Sequence, residues 1–168
     1  MHKLCEMNRD NDLETTLAGL DAGLRVRHIA TFDVQSCEPE DSAAAVFERH
    51  PDFDQFPVTQ DGRVIGVIER GDGEMGGPVR DHFRRLDDSM LVSAEEPLTG
   101  FISLLEEKPH YRLVVLGTRI AGIVTRSDLI KLPVRLVAFM AITHLEILMA
   151  DLIRARCGDD DAWLALLY

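Results

Sequence analysis

The 168-residue chain holds only three cysteines, Cys5, Cys37 and Cys157, odd in number and far apart. No CxxC and no Cys/His cluster of zinc spacing accompanies them, so neither a disulfide framework nor a metal site is expected. His2 and Cys5 form an HxxC with no second ligand pair, which reads as chance. Bases are also scarce. Eighteen Lys and Arg stand against 29 Asp and Glu, a formal charge of −11. That sign disfavours both nucleic acid and anionic lipid, which need a basic face. The first residues lack the apolar core of a secretory signal, and no apolar run reaches the roughly 18 residues of a membrane span. Catalytic strings such as GxSxG, HExxH or a P-loop are missing. The six histidines are scattered; His144 and Glu146 are two apart, hence on different faces of a helix. These absences lead to the expectation of a cytoplasmic, non-catalytic protein that requires no cofactor and has neither a nucleic-acid nor a membrane partner.

What the chain does have is a repeat. Residues 57–72, PVTQDGRVIGVIERGD, align without gaps on residues 113–128, LVVLGTRIAGIVTRSD, at an offset of 56. Val58 meets Val114, Arg63 meets Arg119, Gly66 meets Gly122, Arg70 meets Arg126, and Asp72 meets Asp128. Upstream, Val34, Glu38 and Pro39 answer Val92, Glu96 and Pro97 at an offset of 58, which implies two extra residues in the first copy within 52–56. Val26-Arg27 and Val79-Arg80 stand where each repeat would begin.

Each unit reads as a short strand, an acidic proline-bearing turn (SCEPED, SAEEPL), a helix (43–49, 98–107) and two β-branched runs. Asp61-Gly62 is a hairpin signal between the runs of the first copy. Ser127 is a candidate N-cap for a short helix after the second. The corresponding GDGEMGG of the first copy reads as a linker. The expected domains are a lead-in (1–23), repeat one (24–76), repeat two (77–131) and a helical tail (132–168). Halves this small cannot easily cover both faces of their sheets, so two would pack about a pseudo-twofold axis into one α+β body.

GIVTRSD (122–128) is the segment that could carry chemistry. Gly122 admits close approach to the backbone. Thr125 and Ser127 offer hydroxyls beside free N–H groups at a helix start, which suit a phosphate. Asp128 offers an acceptor for paired sugar hydroxyls. Helix capping explains the same residues equally well. Between Arg112 and Arg135 stand five bases (Arg112, Arg119, Arg126, Lys131, Arg135) and one acid, Asp128.

The repeat, and the string Gly-aliphatic-aliphatic-Thr-x-x-Asp that closes its second copy, resemble the CBS domain family, named after cystathionine β-synthase. The resemblance covers most of residues 24–133. It implies two β-α-β-β-α repeats paired in a disc with two clefts that can hold AMP, ADP, ATP or S-adenosylmethionine. Asp128 would then bind ribose, and Thr125 the phosphate or ribose side. Met90, Leu91 and Val92 would hold adenine; Arg126, on charge grounds alone, would partner a phosphate. The first copy reads GVIERGD, with Glu69 in place of the Thr, so a weaker second site at Asp72 and Arg70 is expected. The expected function is regulatory sensing of an adenosine nucleotide, passed on to a regulated protein. The alternative is an interaction or dimerisation module with empty clefts.

Residues 132–158 read as one long helix with Pro133 in its first turn and Gly158 at its end. It is apolar on nearly every side, so burial on more than one side is expected. One face would cover the repeats and another a second copy, giving a homodimer. Charges at Arg135, Glu146, Asp151 and Arg154 speak against a membrane span. The terminal AWLALLY hints at a short docked helix.

Overall fold

The structure is a computed structural model that describes Thr15, Gly19 and residues 23–71, 75–105 and 107–157. Most of the lead-in with His2 and Cys5, Asp72 with the middle of the glycine linker, Glu106, Gly158 and the AWLALLY terminus lie outside the described residues.

Two three-stranded sheets carry the fold. In the first half, helix α1 (Ala43–Arg49) precedes the hairpin β1 (Gln55–Gln60) and β2 (Arg63–Glu69). A short β3 (Arg84–Arg85) pairs antiparallel with β2. In the second half, β4 (Leu91–Ser93) precedes α2 (Leu98–Leu104), then the hairpin β5 (Tyr111–Leu116) and β6 (Arg119–Thr125). β4 lies parallel to β5. Its counterpart in the first half is reduced to one parallel bridge, Cys37 to Val58. The long helix α3 (Leu132–Cys157) follows.

The Asp61-Gly62 hairpin forms as the sequence implies, with φ of 51° and 72° at the two residues. Both need the left-handed region that a two-residue hairpin demands. Both hairpins also shift register at the same point, between Val58 and Thr59 and between Val114 and Val115. α1 and α2 match at an offset of 55, which replaces the 58 read from the acidic turns. The single extra residue therefore lies in the second copy, between α2 and β5. Repeated Glu and Pro in those turns allow several alignments; hydrogen bonding allows one.

Strand alternation builds three packed layers. Val58 and Ile68 face α1 with Ala43, Val46 and Phe47, while Val114 and Val124 face α2 with Leu98 and Phe101. The opposite faces meet one another through Val67, Met90, Tyr111, Leu113 and Ile123. The two halves are thus one body joined sheet to sheet, as expected.

The beginnings of the repeats cross over. Val26 packs in the core of the second half and Val79 in that of the first. Val26 N–H donates to Glu96 O at 3.0 Å and Val79 N–H to Asp41 O at 2.9 Å. Arg27 pairs with Glu95 at 2.6 Å, and Arg80 with Glu40. Each Val-Arg doublet therefore docks on the acidic turn of the other repeat.

Candidate functional site

At the end of β6 the chain turns into a short 3₁₀ helix, Arg126–Ile130. Its cap is Thr125, two residues earlier than the Ser127 suggested by the sequence. The last strand residue is still extended there, so its N–H points toward a side chain three positions on. Asp128 Oδ2 accepts from Thr125 N–H at 2.7 Å and from the Thr125 hydroxyl at 3.2 Å. Oδ1 pairs with Lys131 Nζ at 2.7 Å, and Nζ also donates to Ile29 O at 2.6 Å. A carboxylate has about four acceptor positions, so this one retains capacity for a further donor. Ser127 Oγ lies 2.7 Å from Thr125 Oγ1. Asp128 is only 7% exposed, while Arg126 and Ser127 stand in solvent.

These residues line one side of a groove of about 720 Å³ between the halves. Thr31 and Asp33–Gln35 form another side, the loop Asp52–Phe56 a third, and Lys108–Tyr111 a fourth, with Glu69 and Arg84 reaching in. The groove offers bases at Arg84, Lys108 and Arg126 and acids at Asp33, Asp52, Asp54, Glu69 and Asp128. Arg84 is drawn toward Asp87 at 2.6 Å; among the described residues Arg126 makes no ion pair. Glu69 accepts from the Tyr111 hydroxyl at 3.1 Å, a bond between the two repeats. Burial, then the nearby Glu69 charge, raises the Tyr111 pKa above the ordinary phenol value.

Thr125, Arg126, Ser127 and Asp128 are thus brought together, but other expected residues are not. Met90 is fully buried between the sheets, Val92 lies in the core under α2, and half-buried Leu91 packs at the sheet interface. None of the three lines the groove. Gly122 is occupied by the protein itself: a Cβ there would lie 2.6 Å from Thr31 O. Arg70 also departs from expectation, because Nη2 donates to the carbonyls of Pro51 at 3.0 Å and Phe53 at 2.9 Å. Its guanidinium lies over the Phe47 ring, 4.8 Å from the centroid. The local excess of base is spent in the same way. Arg112 is 5% exposed and clamps the carbonyls of Leu104, Pro109 and Tyr111. Lys131 neutralises Asp128, which leaves Arg126 as the base that this stretch gives to the groove.

Thr31, Asp33–Gln35 and Lys108–Tyr111 line the groove without having been read as site residues in the sequence. They follow no local motif, and only the crossover of the first segment onto β6, through the Thr31–Ile123 bridge, brings them there. Chemically, the groove combines hydroxyls and a free guanidinium that suit an anion with a fixed carboxylate that suits a diol. Val34, Phe53, Phe56 and Pro109 supply apolar wall for a flat ring.

A family model described as CBS domain matches residues 26–72 and 83–135. Comparison with curated proteins finds no match. Among solved structures, the chain is similar to the CBS domain of the bacterial CNNM/CorC family Mg²⁺ transporter in complex with ATP, at 18% identity and TM-score 0.56. That match covers 76% of this chain and 97% of the other. It is also similar to CBSX2 in complex with AMP, at 19% identity and TM-score 0.55, covering 67% and 97%. An uncharacterized conserved protein from Pyrococcus horikoshii matches at 21% identity and TM-score 0.55, covering 64% and 90%. At these identities the likeness is one of fold.

Proposed function

Since this chain belongs to the CBS domain family, we propose that it is a non-catalytic regulatory module that senses an adenosine nucleotide in the groove beside Asp128. The observation that carries this reading is the joined pair Thr125–Asp128, held by the 2.7 Å bond and set beside an unpaired Arg126 at the groove wall. The carboxylate would take the ribose hydroxyls, and Arg126 with the Thr125 and Ser127 hydroxyls would take the phosphate. Adenine would lie against the apolar wall at Val34 and Pro109, which takes the part first assigned to Met90, Leu91 and Val92. The ATP and AMP complexes of the two relatives support the ligand class.

Both repeats line the groove, so a bound ligand touches both and favours one relative arrangement of them. That bias is the signal a regulated protein would receive. Such a module would act in the cytoplasm. Arg70 is committed to carbonyls, so a second nucleotide near Asp72 would lack that base, and one strong site per chain is expected.

Calorimetry with AMP, ADP, ATP, S-adenosylmethionine and adenosine tests this. Asp128→Ala should weaken every ligand at least tenfold, about 1.4 kcal/mol or more. Arg126→Ala should weaken the phosphorylated ligands and leave adenosine unchanged. Flat titrations of the wild type with all five would overturn nucleotide sensing.

A further inference from the structure

α3 leaves the body almost at once. Val134 is buried against the second-half core and Val137 packs on it. Beyond them Phe139, Ile142, Leu145, Leu148 and Leu152 are each more than half exposed. The expectation that one face of this helix covers the repeats is not met. By length and composition alone α3 could cross a bilayer. His144 and Glu146 stand at its middle, however, where an ionised side chain in hydrocarbon costs about 2.5–3.5 kcal/mol. Water and lipid are both poor surroundings for such a helix; another protein surface is a better one.

One stripe answers that need. Ala138, Ala141, Leu145, Leu148, Leu152 and Ala155 recur at alternating intervals of three and four, the seam spacing of paired helices. All six are exposed. The charged residues of α3, Arg135, Glu146, Asp151, Arg154 and Arg156, lie off the stripe.

We propose that a second copy of this chain covers the stripe, with the two α3 helices antiparallel. The direction follows from Val134, the next member of the stripe toward the N-terminus. It is already buried in its own module, so a parallel partner would have to place its first turn where that core stands. Run antiparallel, Ala138 meets Ala155 of the partner subunit, Ala141 meets the partner's Leu152, and Leu145 meets the partner's Leu148. Small residues face large ones in the second layer, which suits close packing there. Beside it Ile142 faces the partner's Met149. His144 faces the partner's Asp151, and its Nδ1 has no hydrogen-bond partner within the described residues of one chain. The pairing does not depend on nucleotide binding.

Light scattering of the full chain after size exclusion should give twice the 18.8 kDa chain mass. Leu145→Glu with Leu148→Glu should halve that mass, and circular dichroism should show the repeats still folded. Phe139→Glu, on the far side of α3, should leave the dimer intact. With Cys5 and Cys157 replaced by serine, a mixture of Ala141→Cys and Leu152→Cys chains should cross-link while Ala141→Cys alone should not. A monomeric or tetrameric wild type, sedimentation with phosphatidylcholine vesicles, or self-cross-linking of Ala141→Cys would overturn the proposal.

Discussion

Gly66 and Gly122 occupy the same point of the two hairpins, and the same kind of neighbour lies over each. Phe83 and the Arg84 carbonyl cover Gly66, while the Thr31 carbonyl and Phe32 cover Gly122. The Thr31 peptide cannot yield freely, because it exchanges two 2.9 Å hydrogen bonds with Ile123. Gly122→Ala is therefore expected to cost about 1–3 kcal/mol, the usual range for overpacking, seen as a lower urea midpoint. An unchanged midpoint would mean that the crossing segment is loosely held. Cys37, by contrast, is inert for reasons of environment. Burial foremost, with the charge of Asp41, pushes its thiol up to about 11, so little thiolate is present at neutral pH.

At the scale of elements, each half must satisfy the carbonyls left at the end of its short helix. The first half uses Arg70, just past β2, which donates to the carbonyls of Phe47 and His50; the second uses Arg112, from β5, which donates to that of Leu104. The residue that aligns with Arg70 in sequence is Arg126, and it does a different job. Burial lowers the Arg112 pKa, which marks how far its charge has been taken from water. Arg112→Met should fit the space but strand the carbonyls of Leu104, Pro109 and Tyr111. Each buried orphan acceptor costs about 1–3 kcal/mol, so a loss of at least about 3 kcal/mol is expected in denaturant unfolding.

For the whole molecule the decisive contacts are those between repeats. Two crossed Val-Arg doublets, the layer around Met90 and Tyr111, and the Tyr111–Glu69 bond hold the halves together. Tyr111 gives this joint a pH signature. Its folded pKa lies above the ordinary 10.0, so the neutral hydroxyl stabilises the fold at any pH below about 10. That contribution is lost as pH climbs beyond it, since the unfolded chain gives up the proton first. Tyr111→Phe should cost about 0.5–1.5 kcal/mol at pH 7, one hydrogen bond, and flatten the alkaline decline of the melting temperature above pH 10. An alkaline limb as steep as the wild type's would place the titrating group elsewhere.

The repeat, the hairpins, α1, the long α3 and the GIVTRSD cluster were all legible in the residues, because each depends on neighbours a few positions apart. Turn chemistry fixes Asp61-Gly62 and alternation fixes β2 and β6, whereas the cap fell on Thr125 and not on Ser127, because the Asp128 carboxylate closes on the Thr125 N–H. The sequence also exposed both Val-Arg doublets and both acidic turns, yet not that they pair crosswise. That pairing, the burial of Met90 and Val92, the commitment of Arg70 and Arg112 to carbonyls, and the groove wall at Thr31 and Asp33–Gln35 were decided by tertiary structure alone. Each depends on which surface lies opposite in space, and a side chain with several satisfactory partners does not reveal along the chain which of them it will meet.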